Sequence, residues 1–157
     1  MASDLMNISD INDERNGLLL FKPLEHAFDH FQISFIYNNA DDCFHLKLFD
    51  PSIRNKPLID LIQDPNHKKV LRAAVKGKKR CTFDLHTTFG DLDNKVLNVS
   101  VMKRPYKRCL NLQARLARAM ARKKNAIEQT YDFDDFWSEG LAVEEIMDKF
   151  FKSTEQY

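Results

Sequence analysis

The sequence has 157 residues, enough for a single domain that buries a core without disulfide or metal staples. Its hydrophobic fraction of 43% and its 12 phenylalanines indicate a packed globule, and its longest apolar runs are too short to span a bilayer. The net charge of +1 conceals an asymmetry, because residues 67–125 hold 17 Lys/Arg and 3 Asp/Glu, whereas the remainder holds 7 and 20. Such a split indicates either an anionic partner, with nucleic acid the first choice, or acidic ends that fold over the basic middle.

Several other classes of protein are excluded by the residue content. Four glycines are too few, and wrongly spaced, for a phosphate-binding loop. Three widely spaced cysteines show neither a CxxC pair nor a disulfide framework, and the acidic N-terminus does not resemble a secretory signal. We therefore expect an intracellular protein, nuclear or cytoplasmic, with no membrane association.

The first third of the chain predicts a strand, a helix and a hairpin. The run Gly17–Phe21 is typical of a short buried strand, and Pro23 suits the first turn of the helix that follows. The segments Ile33–Tyr37 and Cys43–Phe49 alternate between apolar and polar residues. The polar loop Asn38–Asp42 between them predicts a β-hairpin.

The remainder predicts further helices and strands. In chain order these are short helices at Leu58–Gln63 and Lys68–Lys76, strands at Cys81–His86 and Lys95–Val101, a long helix from about 105 to 125, and a last amphipathic helix from about Val143 to Phe151. An acidic aromatic segment, Tyr131–Trp137, precedes the last helix and is a candidate surface for a protein partner.

The long helix carries two stripes. One is apolar and is predicted to face the core: Tyr106, Cys109, Leu110, Leu116, Ala117 and Met120. The other is rich in guanidinium groups: Arg104, Arg108, Asn111, Arg115, Arg118 and Arg122. Because guanidinium forks bind phosphate well, we predict a nucleic-acid-binding face formed by Arg104, Lys107, Arg108, Arg115, Arg118 and Arg122. The alternative is a solvated face that pairs in part with the acidic C-terminal segment.

The segment Glu14–Asp29, with Asn16-Gly17 before an apolar run and Phe28-Asp29 at its end, resembles the second half of HNH endonuclease domains. The likeness is to the HNH-type domains of fungal and other eukaryotic proteins. The block Arg104–Arg115 also resembles a block that follows the motif in those proteins. The whole resemblance covers roughly residues 8–125. It implies an α+β fold, with a small ββα-metal-like unit and antiparallel strands packed against a long C-terminal basic helix.

We expect a single domain over residues 1–157. Residues 1–50 would hold a partial ββα-metal-like unit and the hairpin, and residues 51–157 an α+β extension with the basic helix and an acidic helical C-terminal segment.

The resemblance also implies site residues. Asn16 matches the family Asn that orients the catalytic loop, and the helix that follows would hold a divalent metal. Two ligand pairs are possible there at i,i+4 spacing: Glu25 with Asp29, which suits Mg²⁺ or Mn²⁺, and His26 with His30, which suits Zn²⁺. The register with Phe28-Asp29 favours the carboxylates, and a surface without metal remains an alternative.

The first, His-bearing strand of the family motif is missing, since no histidine precedes His26. The family uses that histidine as general base, and its loss costs about 10²–10⁴-fold in rate. His45, His67 and His86 do not align with it. We therefore expect an HNH-endonuclease-like domain, incomplete or degenerate for metal-dependent phosphodiester hydrolysis, that is a nuclease only if the base-bearing strand is supplied. The alternative is a non-catalytic nucleic-acid-binding or protein-interaction module on an HNH-derived frame.

Overall fold

The computed structural model describes Arg15, residues 17–76, residues 86–134 and Lys152. Within these ranges, the helices and strands are α1 (Lys22–Asp29), β1 (Ile33–Asn38), β2 (Cys43–Leu48), α2 (Pro65–Lys76), α3 (Phe89–Leu92) and α4 (Lys107–Lys123). Short 3₁₀ turns lie at Pro51–Ile53, Leu58–Leu61 and Val101–Lys103. The predicted α+β class and the long C-terminal basic helix are confirmed.

Helix α1 begins and ends where its residues dictate. Pro23 lies in its first turn, where its fixed φ suits a helix and its missing N–H is not needed. Pro23 and Ala27 are buried, and they anchor one side of the helix on the core. Phe31, with φ of 58°, turns the chain out of the helix, and the Gln32 N–H donates to the Ala27 carbonyl. This turn leads the chain directly into β1.

The antiparallel hairpin β1–β2 separates two apolar clusters. Ile33, Phe35 and Tyr37 pair across the sheet with Leu48, Leu46 and Phe44, and all six are buried on one face. Ile36 and the fully buried Ser34 lie on the other face, toward the cluster formed by Phe49, Ala117 and Ala121. The predicted hairpin is confirmed, because alternate residues of β2 are buried on one face, while the residues between them are half-buried on the other.

Helix α4 packs along β1 through its small residues. The residues that it buries are Leu110, Asn111, Ala114, Ala117 and Ala121. Alanine side chains at three- and four-residue steps allow the helix backbone to approach the strand closely. Of the predicted core stripe, Leu110 and Ala117 are buried, whereas Cys109, Leu116 and Met120 are only half-buried. The core face is therefore rotated toward the alanines, and Asn111, which was predicted to lie in the exposed basic stripe, is buried.

Two predicted strands are wrong where the structure describes them. Gly17–Phe21 has no regular structure, and Leu19 is fully exposed, while Leu18, Leu20 and Phe21 pack on the edge of the core as a loop. Lys95–Val101 forms a single bridge between Val96 and His45 and then a 3₁₀ turn. Gly17–Phe21 has no strand beside it among the described residues. Lys95–Leu97 lies beside β2, where the Lys95 carbonyl accepts from the Leu46 N–H and the Leu97 N–H donates to the Phe44 carbonyl, but the pairing ends there.

The middle of the chain differs in detail from its prediction. The two short helices are confirmed in kind, as a 3₁₀ turn at Leu58–Leu61 and as α2. The predicted loop between residues 87 and 94 contains α3, which is capped by Thr88 and Asp91 in a capping box. The predicted strand Cys81–His86, apart from His86, and the last helix Val143–Phe151 lie outside the described residues.

None of the helices in the described ranges is both long and apolar enough to cross a membrane.

Candidate metal helix and nucleic-acid interface

Helix α1 presents its predicted ligands on the side that faces away from the core. Because Pro23 and Ala27 are turned inward, His26, Asp29 and His30 are exposed and Glu25 is half-buried. Both predicted pairs therefore lie on one helix surface, as their i,i+4 spacing requires. The amphipathic pattern that places them was visible in the sequence.

The contacts of these side chains are local. Lys22 Nζ lies 3.1 Å from Glu25 Oε2, at an exposed i,i+3 position. The rings of His26 and His30 are tilted by 36° with 4.1 Å between centroids, and His30 Nδ1 lies 2.7 Å from the carbonyl oxygen of His26. One nitrogen of His30 is thus held by the helix backbone, which leaves at most Nε2 for another ligand.

A metal ion needs more than such a pair. Among the residues that the structure describes, no three His, Cys, Asp or Glu side chains come together to hold one. Catalytic Zn²⁺ in proteins usually has three protein ligands, whereas Mg²⁺ is held by one or two carboxylates together with waters and substrate phosphates. The described part of the helix surface therefore does not form a three-ligand zinc site by itself, and Glu25 and Asp29 stay predicted ligands for Mg²⁺ or Mn²⁺. Asn16, the predicted catalytic residue, lies outside the described residues.

Of the remaining histidines, His45 is held by neighbouring groups at both ring nitrogens. His45 Nε2 lies 2.6 Å from Asp41 Oδ2, and its Nδ1 lies 3.1 Å from the Asn94 carbonyl oxygen. With an acceptor at each ring nitrogen, the doubly protonated ring is favoured. The Asn94 carbonyl, and then the Asp41 carboxylate, hold the pKa of His45 above its ordinary value. Both ring nitrogens of His45 are therefore engaged by neighbouring groups of the chain, and His67 and His86 are exposed.

Helix α4 is a strongly basic element. Its 17 residues contain six cationic side chains and no Asp or Glu: Lys107, Arg108, Arg115, Arg118, Arg122 and Lys123. Arg108, Arg115 and Arg122 repeat every seven residues, which corresponds to about 10.5 Å along the helix. The structure thus brings these predicted residues onto one side of the helix, adjacent to the buried alanines.

Two members of the predicted interface lie at the other end of the face, against the hairpin. Arg104 Nη1 donates to Asp42 Oδ1 over 2.9 Å, and this contact contributes to holding the pKa of Asp42 below its ordinary value, after the larger effect of the Tyr37 hydroxyl. Lys107 Nζ lies 3.6 Å from the centroid of the Tyr37 ring. Arg104 and Lys107 therefore have roles in positioning the helix on the hairpin turn.

Part of the acidic C-terminal segment covers the same face. Asp132 forms a salt bridge with Arg118, and the Arg122 guanidinium donates to the Tyr131 carbonyl. The predicted alternative, in which acidic residues fold over the basic middle of the chain, is therefore observed at Asp132. Tyr131 also packs edge-on against Phe49, with 5.9 Å between ring centroids, and burial raises its pKa.

A groove of about 350 Å³ lies between this segment and the outer face of the hairpin. It is lined by residues of β1 and β2, including His45 and Lys47, and by Tyr131–Asp134. Sequence reasoning missed this groove, because its two walls are about 85 residues apart in the chain. The only sequence signal was the acidic aromatic composition of its far wall.

The comparison with protein families decides what the N-terminal segment resembles. Residues 1–36 match the family model described as HNH endonuclease. The matched segment contains Asn16 and the whole of α1, so it includes every predicted ligand on that helix. The match supports the predicted relationship to HNH endonucleases at the level of the family. It covers less than a quarter of the chain, and α4 lies outside it.

No curated protein and no solved structure matches the chain.

Proposed function

We propose that this chain is an HNH-endonuclease-derived domain that binds nucleic acid through the basic face of helix α4 and does not cleave it by itself. The observation that carries the proposal is the combination of an HNH match over residues 1–36 with the strongly basic helix α4. Among the described residues, no third His, Cys, Asp or Glu side chain joins the predicted ligand pairs of α1. The family relationship favours nucleic acid as the partner, and the site favours binding over hydrolysis.

Binding is supported by the charge of helix α4. Six cations without an acidic residue, over about 25 Å of helix, produce a positive potential that attracts a polyanion. Arg122 and Lys123 lie in the last turn of α4, where the negative end of the helix dipole stabilises cationic side chains. Their charges are therefore stabilised without an acidic neighbour on the helix. Contacts of arginine and lysine with phosphate supply most of the affinity of sequence-independent binding.

The absence of cleavage is supported by the chemistry that the residues offer. In the HNH family a histidine removes a proton from the attacking water and a divalent metal stabilises the charge that develops on phosphate. In the described part of the chain, both ring nitrogens of His45 are engaged, Nε2 by the Asp41 carboxylate and Nδ1 by the Asn94 carbonyl. Cleavage would need the base-bearing strand, and further ligands for Mg²⁺, Mn²⁺ or Zn²⁺ beside those of α1, to be supplied.

The test compares two triple variants of equal charge. Arg115→Gln, Arg118→Gln and Arg122→Gln together neutralise the face of α4; Lys68→Gln, Lys69→Gln and Arg72→Gln neutralise helix α2 to the same extent.

Binding of fluorescent single-stranded and duplex DNA and RNA is measured by anisotropy over a range of salt concentrations. We expect the α4 variant to bind more weakly than the unmutated protein. The slope of the logarithm of the binding constant against the logarithm of the salt concentration should be shallower by about 2–3, because each lost phosphate contact removes about 0.7–0.9 from that slope. The α2 variant should retain most of the affinity. Equal effects of the two triple variants, or no binding by the unmutated protein, would reject the proposed interface.

A further inference from the structure

We propose that the segment Tyr131–Asp134, here called the acidic strap, competes with nucleic acid for Arg118 and Arg122, so that the binding face of α4 is partly closed by the protein's own chain. The proposal rests on the proposed function and concerns its regulation. It identifies the two guanidinium groups at which the strap and a phosphate backbone exclude each other.

The strap is attached to these arginines by three kinds of contact. The Asp132 carboxylate accepts a hydrogen bond from Arg118, in a salt bridge. The ring of Phe133 lies beneath the same guanidinium group, with 4.6 Å from Cζ to the ring centroid. The carbonyl of Tyr131 accepts from Arg122 Nη2. The strap thus offers each arginine oxygen acceptors of the kind that a phosphodiester would offer.

Further contacts hold the strap in register along the helix and the hairpin. Asn111 Nδ2 donates to the Asp134 carbonyl over 3.0 Å, and Asn39 Nδ2 donates to Asp134 Oδ2 over 2.9 Å. At the other end, Lys47 Nζ lies 4.6 Å from the centroid of the Tyr131 ring. Asn111 is buried in α4 beside Ala114, so its hydrogen bond to Asp134 fixes the position of the strap along this helix.

The same contacts are weak enough to be displaced. The Asp132 side chain is 72% exposed, whereas that of Arg118 is only 15% exposed. An ion pair with one side open to water contributes little to stability, and salt screens it further. A polyanion that presents several phosphates at once can therefore replace one carboxylate and one carbonyl. The strap would reduce affinity without abolishing it.

The experiment is a comparison of Asp132→Asn with Asp60→Asn, both in the full chain. Each variant removes one negative charge, so the net charge changes equally. Asp60 is exposed in the 3₁₀ turn Leu58–Leu61, which is outside the strap and α4. The probe is a fluorescent oligo(dT) strand, and the dissociation constant is measured at about 50 mM and about 200 mM salt. Thermal unfolding of each variant verifies that the fold is retained.

We expect Asp132→Asn to lower the dissociation constant by about two- to fivefold, the range that corresponds to loss of one exposed ion pair, and Asp60→Asn to leave it unchanged. A second variant, Phe133→Ala, removes the ring beneath Arg118 without changing the charge, and it should act in the same direction.

Equal dissociation constants for the unmutated protein, Asp132→Asn and Phe133→Ala would overturn competition by the strap and leave the proposed function intact. The same gain for Asp132→Asn and Asp60→Asn would show a general effect of charge and would also overturn it. Failure of every variant to bind at low salt would overturn the proposed function itself.

Discussion

The position of the basic face depends on the alanines that attach helix α4 to β1, and this dependence can be tested by adding volume. Ala117 has no exposed surface and packs in the cluster with Phe49 and Ala121. Leucine at this position adds three carbon atoms where two elements already approach closely. Overpacking of this kind costs about 1–3 kcal/mol. Since each kcal/mol lowers the melting temperature of a chain of this size by about 2–4 °C, Ala117→Leu should lower it by about 2–12 °C.

The matched control is Ala119→Leu, the same substitution two residues away. Ala119 lies about 200° further around the helix, only half-buried and away from both apolar clusters. Its replacement should change the free energy of unfolding by no more than about 0.5 kcal/mol. Far-UV circular dichroism during thermal and urea unfolding measures both variants. Equal destabilisation by the two substitutions, or a larger effect of Ala119→Leu, would refute the assigned core face of α4.

Two further predictions concern residues that hold the domain together. Gln113 Nε2 donates to the carbonyls of Phe28 and Ile33, and the Phe28 carbonyl also accepts from the Phe31 N–H. Gln113→Leu should therefore remove two hydrogen bonds and lower the free energy of unfolding by about 1–3 kcal/mol; an unchanged urea midpoint would contradict this. His45 has a pKa raised by Asn94 and Asp41, so its stabilisation is complete below the unfolded pKa of about 6.5 and is lost as the pH rises through the folded pKa. In urea unfolding, the stability of the unmutated protein should therefore decline above about pH 6.5, and His45→Asn should remove that decline. Identical pH profiles of the two proteins would contradict this prediction.

The sequence was sufficient where a local pattern and the tertiary contacts agree. The alternation in Ile33–Tyr37 and Cys43–Phe49, with a polar loop between them, predicted the hairpin because each strand buries a full face. Pro23 and the spacing of the apolar residues after it predicted helix α1 in the same way. The long run from Lys107 to Lys123, with no Gly or Pro, predicted a helix.

It failed where a distant partner decides the structure. Gly17–Phe21 has the composition of a strand, yet it packs on the edge of the core and pairs with no strand in the part of the chain that the structure describes. On α4, Leu110 and Ala117 were correctly placed in the core, but Ala114 and Ala121 were missed, because close approach to β1 requires small residues. Whether alanine is buried depends on what packs against it, and the sequence does not contain that information.

The candidate site shows the same division. Spacing alone placed Glu25 and Asp29 on one surface of α1 with His26 and His30, and the structure describes them there. Spacing also collected the arginines of α4. It did not reveal that Asp132 covers Arg118, since a salt bridge between a helix and a following loop leaves no periodic signal. The assignment of roles to these residues in metal or nucleic-acid binding stays a prediction.

The central claim, binding without cleavage, is tested most directly by one measurement on supercoiled plasmid DNA. The protein is added at a concentration that shifts all of the plasmid in a gel, with Mg²⁺, Mn²⁺ or Zn²⁺, and the DNA is then freed of protein and analysed for nicks. We predict a complete shift and no increase in nicked circles with any of the metals. Metal-dependent nicking that is lost in Glu25→Ala or His26→Ala would contradict the account, since it would show that this chain contains a working HNH site.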